Sequence, residues 1–310
     1  MTTASHWRRV LAHVVAQQYA LIPAVDAIFL GGSTARGQAD RYSDLEVSVL
    51  WTAPPTEQER IQAITQLGGD LHLLSPYNED EALWEELFFL GRNQENTPKS
   101  GCQVEVSHFL VESIEAALDR VLLASAVDSE LHNFMAGIVE SIPLLNASRI
   151  DGWKQRLRQY PDALQLAVIQ HYGIIDHFWR WEMYVARGNN RMEVDSLFTR
   201  ILHQVLHLLL GLNRRYFDGF KWFDSLIVRL AISPEHLGER IRRVYELPIP
   251  AAAMEVRSIV EDTFTLIEQQ LPSVNVDQFR QIFSYRRLQW EDAPPLGFPP
   301  QEEGISLELT

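Results

Sequence analysis

The sequence predicts an α+β protein: a small mixed-sheet domain over residues 1–125, an α-helical bundle over 126–291 and a Pro-rich tail over 292–310. Two observations predict this. Helical and strand periods alternate through the first segment, in an order that suits a mixed sheet rather than a doubly wound one. Beyond residue 126 strand-like alternation nearly disappears, and long amphipathic segments take over.

Taken in order, Trp7, Val10, Leu11, Val14, Val15 and Tyr19 recur at helical spacing within 6–20. Residues 26–31 and 44–51 read as strands, 57–67 as a helix and 70–74 as a short strand. Residues 87–91 and 102–110 are expected to pair as a hairpin across a polar loop at 92–100, which carries Asn residues and a Thr-Pro turn signal. Residues 112–124 return to helix. The amphipathic stretches that follow are 129–140, 151–159, 162–186, 193–217, 235–246 and 252–270. The tail holds Pro294, Pro295, Pro299 and Pro300 among acidic and glycine residues, and is expected to be extended.

A chain of 310 residues can bury two cores, and 46% apolar with 22% charged residues is ordinary for a soluble globular protein. Met1 to Val10 lacks the apolar run of a secretory signal, so a cytoplasmic location is expected. Val205 to Leu212, the longest strongly apolar run, is too short to span a bilayer. The single cysteine, Cys102, excludes an internal disulfide framework and a multi-Cys zinc site. A net charge of −14 argues against nucleic acid as a partner, because phosphates are bound by neutralising Lys and Arg. It favours a cationic small molecule instead.

The chemistry concentrates in residues 31–46. An apolar strand ends in Gly31-Gly32-Ser33, where glycines let backbone amides approach a phosphate and Ser33 opens a short helix. Arg36, about one turn later, can neutralise phosphate charge bidentately. Asp44 and Glu46 share one face of the next strand, about 6–7 Å apart, while Leu45, Val47 and Val49 share the other. Glu105 alternates with Val104 and Val106 in the same way. If the two strands are neighbours, three carboxylates crowd together, raise at least one pKa, and become a site for a hard ion such as Mg²⁺. Solvated positions on edge strands would give the same residue pattern.

Gly32-Ser33-Thr34-Ala35-Arg36, Tyr42-Ser43-Asp44-Leu45-Glu46 and Val104-Glu105-Val106 resemble the signature of the polymerase-β-type nucleotidyltransferase superfamily. Within it the resemblance is to antibiotic nucleotidyltransferases of the kanamycin- and streptomycin-modifying kind. Two later stretches, 137–145 and 210–216, resemble an uncharacterised bacterial branch with no agreed substrate. The resemblance implies Mg²⁺-dependent transfer of a nucleoside monophosphate, AMP from ATP, to a hydroxyl of a small acceptor, with Asp44, Glu46 and Glu105 as metal ligands. Gly32, Ser33 and Arg36 would hold the phosphates. Kanamycin nucleotidyltransferase uses a helical-domain glutamate as base, with a phosphate-binding lysine four residues later. Asp176 and Arg180 fit that spacing and, as i and i+4, would share a helix face. A surface ion pair fits it equally, and Glu182 is a fallback base. Arg for Lys also changes the donor geometry.

Other residues are weighed against plainer roles. His203 and His207 stand at i and i+4 but lack the Glu of a His-Glu-x-x-His site, and core neighbours surround them. Lys221, in a cluster with Asn213, Tyr216 and Trp222, can reach a triphosphate or simply complement a helix C-terminus. Glu79, Asp80, Glu81, Glu85 and Glu86 form an acidic run that either greets a cation or is solvated. Phe178, Trp179, Trp181 and Tyr184 read mostly as core between the domains, with one ring able to stack on adenine or a sugar, and Cys102 reads as core. Competing functions are nucleotidylation of a protein or RNA target, as in toxin–antitoxin systems, and a non-catalytic nucleotide-binding module. Homodimerisation is left open.

Overall fold

The computed structural model describes residues 1–91 and 101–287. The polar loop at 92–100 and the tail at 292–310 lie outside the described residues.

Helix α1 (Thr3–Tyr19) starts where Thr2 Oγ1 accepts a bond from the Ser5 amide. Strand β1 (Val25–Leu30) leads through Gly31 into the short helix α2 (Gly32–Ala35), then β2 (Leu45–Trp51). Helix α3 (Glu57–Gln66) is closed by a reciprocal Thr56–Glu59 capping box. Strands β3 (Asp70–Leu74), β4 (Leu83–Leu90) and β5 (Cys102–Leu110) follow, and then α4 (Val111–Leu122). The expected hairpin forms between β4 and β5.

After α5 (Ser129–Glu140) comes a strand that helical periodicity does not announce, β6 (Ile142–Leu145). Four residues are too few to display a period, and Pro143 is tolerated because β6 lies at the sheet edge. Among the described residues the sheet has six strands in the order β3-β4-β5-β2-β1-β6. Only β2 and β5 are parallel, so the sheet is mixed, as the element order predicts.

The two sheet faces are covered differently. Leu45, Val47, Val49 and Trp51 pack against Ala12, Val15 and Tyr19 of α1 and Ala63 and Ile64 of α3. Within this layer Glu86 is not part of a solvated acidic run. It is fully buried, paired with the Tyr19 hydroxyl and with His108 Nε2 at 3.1 Å, while Trp51 Nε1 donates to His108 Nδ1 at 3.0 Å. The other face buries Phe29, Leu50 and Phe109 under α4, α5, α6 (Ala147–Arg158) and α7 (Asp162–Tyr172). A third core lies among α8 (Arg180–Ala186), α9 (Arg191–Leu212), α10 (Phe223–Val228), α11 (Leu237–Glu246), α12 (Ile249–Gln270) and α13 (Val276–Ser284).

One expectation is corrected here. The amphipathic stretch 162–186 is two helices, not one, and Asp176 lies in the connection before α8. Gly173 ends α7 where any Cβ would overlap the Phe279 ring, and His177 takes a left-handed φ of 61° that no helix continues through. Asp176 and Arg180 therefore do not share a helix face. Likewise α9 stops at Leu212, because Asn213 turns its amide to the Leu209 and Ile232 carbonyls and Arg214 adopts φ 51°.

Candidate active site

The parallel pairing of β2 and β5 sets Glu46 directly opposite Glu105 and Ser48 opposite Ser107. Alternation puts all four on one face. Farther along that face Leu50 and Phe109 are roofed by helices, so the glutamates sit at its uncovered end. Strand β4 sets Glu85 opposite Ser107, on the same face again. The neighbouring strands that the three-carboxylate reading requires are therefore present.

Electrostatics tie Asp44 to this pair. The Glu46 carboxyl is pushed up, first by loss of hydration and then by the Asp44 charge, with Arg36 opposing and Glu105 adding. Glu46 keeps an exposed surface, yet protein crowds around it on the remaining sides, as on the floor of a cleft. Glu105 is pushed up by loss of hydration and then by Asp44, although Gln103 donates to it at 2.8 Å. Among the described residues no three His, Cys, Asp or Glu side chains stand in metal-ligating geometry. The donor chemistry nonetheless suits a hard divalent cation: oxygen ligands only, with mutual repulsion that a cation relieves.

The glycine turn is built around the same carboxylate. Gly32 has φ +59°, and a Cβ there would overlap the Glu46 carboxylate. The residue must lack a side chain for both reasons. The Gly31 amide donates to the Glu46 carbonyl at 3.0 Å, so the turn is pinned to β2. Ser33 is buried in α2 beside it.

Helix α1 holds both halves of the 31–46 segment, which its amphipathic pattern alone does not reveal. Arg9 donates to the Thr34 and Ala35 carbonyls at 3.2 and 2.7 Å. Arg8, buried, donates to the Ser43 carbonyl at 2.6 Å, immediately before Asp44. Ser5 Oγ accepts from the Ala39 amide at 2.9 Å. The available signal is a charged residue at Arg8, an inward position of the helix. Asp40 receives the Tyr42 amide and the Ser43 hydroxyl, which hold its carboxyl below the usual range and fold the loop into a local turn.

Arg36 stands at the border between the sheet and the helices. Its Nη1 lies 3.4 Å from Glu140 Oε2 at the end of α5, and Glu140 Oε1 also takes Arg229 Nη1 at 2.5 Å. Arg229 in turn pairs with Asp218. Arg36 Nε is buried without a hydrogen-bond partner among the described residues. Sequence reading missed Glu140, Asp218 and Arg229, because a network spanning residues 36 to 229 has no local signature. Lys221, beyond α9, is close enough for its charge to act on Asp40, Glu46 and Glu105. Its neighbours Asn213 and Tyr216 are structural: Tyr216 is buried and donates to the Leu157 carbonyl at 3.0 Å.

The other helical candidates are placed apart in the interactions they make. Asp176 pairs with His177 at 3.2 Å, Arg180 opens α8, and Glu182 pairs with Arg286.

Comparison with known proteins adds the following. A family model described as a domain of unknown function, DUF4037, matches residues 138–223, a stretch that holds Glu140, Asp218 and Lys221. No curated protein matches the chain. Among solved structures, a nucleotidyltransferase-like protein from Exiguobacterium sibiricum 255-15 is similar with a TM-score of 0.41 and 11% identity, covering 83% of this chain and 76% of that one. The Cid1 poly(U) polymerase is similar with a TM-score of 0.28 and 14% identity, covering 45% and 40%. Cid1 with its short product ApU gives 0.27 and 15%, covering 45% and 41%. No helix among the described residues is long and apolar enough to cross a membrane.

Proposed function

We propose that the protein is a nucleotidyltransferase that moves a nucleoside monophosphate, AMP from ATP, to a hydroxyl of a small molecule. The observation that carries the reading is the register of β2 and β5, which sets Glu46 against Glu105 beside Asp44 with the Gly32 turn resting on Glu46. The division of labour crosses the proposed boundary: residues 1–125 supply the carboxylates and the phosphate turn, while 126–291 supply Lys221 and Arg180 to the phosphates and the groups that meet the acceptor.

Asp44, Glu46 and Glu105 would hold Mg²⁺, which supplies charge stabilisation at the transferring and leaving phosphates. Gly32 and Ser33 hold phosphate oxygens through the turn, and Arg36 and Lys221 neutralise their charge. The acceptor oxygen forms a bond to the α-phosphorus as the bond from that phosphorus to the β-phosphate oxygen breaks. The electron pair leaves with pyrophosphate, and the acceptor proton passes to a base. Asp176 is the proposed base, from the loop ahead of α8, with Arg180 as a further phosphate ligand.

The test is direct. Addition of Mg²⁺ and ATP raises the melting temperature of the wild type, Asp44→Asn abolishes the rise, and labelled ATP transfers its label to a small-molecule fraction. No shift on addition removes the nucleotide site. Label only in protein or tRNA moves the acceptor to that class.

A further inference from the structure

A shallow, open cavity of about 470 Å³ lies along α9, bordered by the start of α5 and the end of α7, outside the carboxylate cluster. Its lining includes Ser129, Tyr172, Arg200, His203, Gln204 and His207, and contains no Asp or Glu. The volume suits a sugar-sized to nucleoside-sized molecule. The two imidazoles, one helical turn apart on α9, are held by stacking. His207 lies flat on Tyr172 with centroids 4.1 Å apart, and His203 lies on Phe220 at 4.1 Å. Both imidazoles line the cavity, and Gln204 is fixed by its bond to the Ile174 carbonyl at 3.0 Å. Arg200 is exposed and makes no side-chain ion pair or hydrogen bond among the described residues, which leaves its guanidinium free for a ligand.

We propose that this cavity receives the acceptor and that the acceptor is a small polyhydroxylated anion, of the sugar-phosphate or sugar-acid class, rather than a cation. The assignment rests on the nucleotidyl-transfer reading. Two of the cavity's borders lead to the carboxylates. Phe220, stacked on His203, precedes Lys221, whose charge reaches Glu46 and Glu105. Helix α5 packs Phe134 on Phe109 of β5, the strand that carries Glu105.

Local charge decides the sign of the ligand: Arg200 is in the lining itself, whereas Asp128 acts on the rim through Tyr172. The net charge of −14 is spread over the whole chain and is screened beyond about 8 Å at physiological salt. Arg200 acts at contact distance on whatever fills the cavity, with a fork of donors that matches a phosphate or carboxylate. Hydroxyl and imidazole groups suit a polyol, since each can donate or accept. Loss of hydration lowers both imidazoles, His207 down to about 4, so His207 serves as a neutral partner to hydroxyls.

The experiment is calorimetric titration of the full chain with ribose 5-phosphate, gluconate, inorganic phosphate and kanamycin, repeated on Arg200→Gln, Arg200→Lys and Glu46→Gln. Ribose 5-phosphate or gluconate is expected to bind, about tenfold or more weaker in Arg200→Gln, partly restored in Arg200→Lys and retained in Glu46→Gln. The stronger of the two identifies the anion, and binding of inorganic phosphate alone removes the polyol. Preference for kanamycin, no binding of either polyol anion, or equal affinity in Arg200→Gln overturns the proposal. Label transfer from ATP to a cation, unaffected by Arg200→Gln, would leave nucleotidyl transfer standing and the cavity assignment lost. Arg200-dependent binding with no label transferred would do the reverse.

Discussion

The sheet floor that carries the carboxylates and the helical wall that carries the cavity, outside that cluster, are opposite in charge logic. On the floor Asp44, Glu46, Glu85 and Glu105 repel one another, and the ionised form of Glu46 and Glu105 is penalised. On the wall, among the described residues, no carboxylate lines the cavity, the Arg200 side chain has no partner, and loss of hydration penalises the charged form of His203 and His207. Desolvation thus works on both sides, pushing acids up and imidazoles down. The lesson is that the overall acidity of the chain describes the floor and not the wall, so the two must be probed separately.

The comparison breaks most sharply at the floor. Asp44→Asn or Glu46→Gln is expected to lower nucleotidyl transfer on the order of 10³-fold, as loss of a transition-state charge stabiliser does. The melting temperature in chelator should hold or rise, because a mutual repulsion is removed. A fall in stability with intact turnover sinks the ligand assignment. Next in size, Gly32→Ala forces a side chain into the Glu46 carboxylate at φ +59°. It should cost about 1–2 kcal/mol in urea unfolding and most of the activity.

Between floor and wall stands Glu140, which bridges Arg36 and Arg229. Glu140→Gln leaves two half-buried guanidinium groups short of charge. The expected cost is about 1–3 kcal/mol, between that of an exposed and a buried pair. Denaturant curves measure it, and a neutral result would show that the bridge does not couple the two parts.

On the wall, His207 has a folded pKa lowered from 6.5 to about 4. The unfolded chain binds the proton more readily between those values, so stability is full above about 6.5 and lost as pH falls toward 4. His207→Gln should remove up to about 1.4 kcal/mol per pH unit of that slope. Melting temperatures of the two proteins at pH 4.5 and 7.5 separate them, and parallel curves would refute the shift. The smallest stability effect is expected at Asp176, exposed and paired with His177 alone among the described residues, where Asp176→Asn changes unfolding by about 0.5 kcal/mol or less. Its turnover is the informative quantity: unchanged kcat removes Asp176 as the base.

Legibility differs along the same line. The floor could be read because its geometry is local: period-two alternation sets the faces of 44–46 and 104–106, and a glycine turn between short elements declares itself. Even there, the parallel pairing of β2 with β5 was a condition that the sequence stated without meeting. The wall could not be read. Asp176 and Arg180 had helical spacing in the letters, and Gly173 against Phe279 broke the helix between α7 and α8. His203 and His207 read as core because their neighbours on α9 are apolar, yet they border a cavity.

By itself, then, the sequence determined the α+β class, most element positions and the acidic residues of the floor, since each follows from propensity and period within about ten residues. The tertiary structure alone decided that Arg200 lines a cavity, that Glu46 meets Glu105, that Arg8 and Arg9 clamp the turn, and that Glu140 joins Arg36 to Arg229. Those last are contacts between residues 25 to 104 positions apart. Their formation depends on how whole elements pack, which no local pattern encodes.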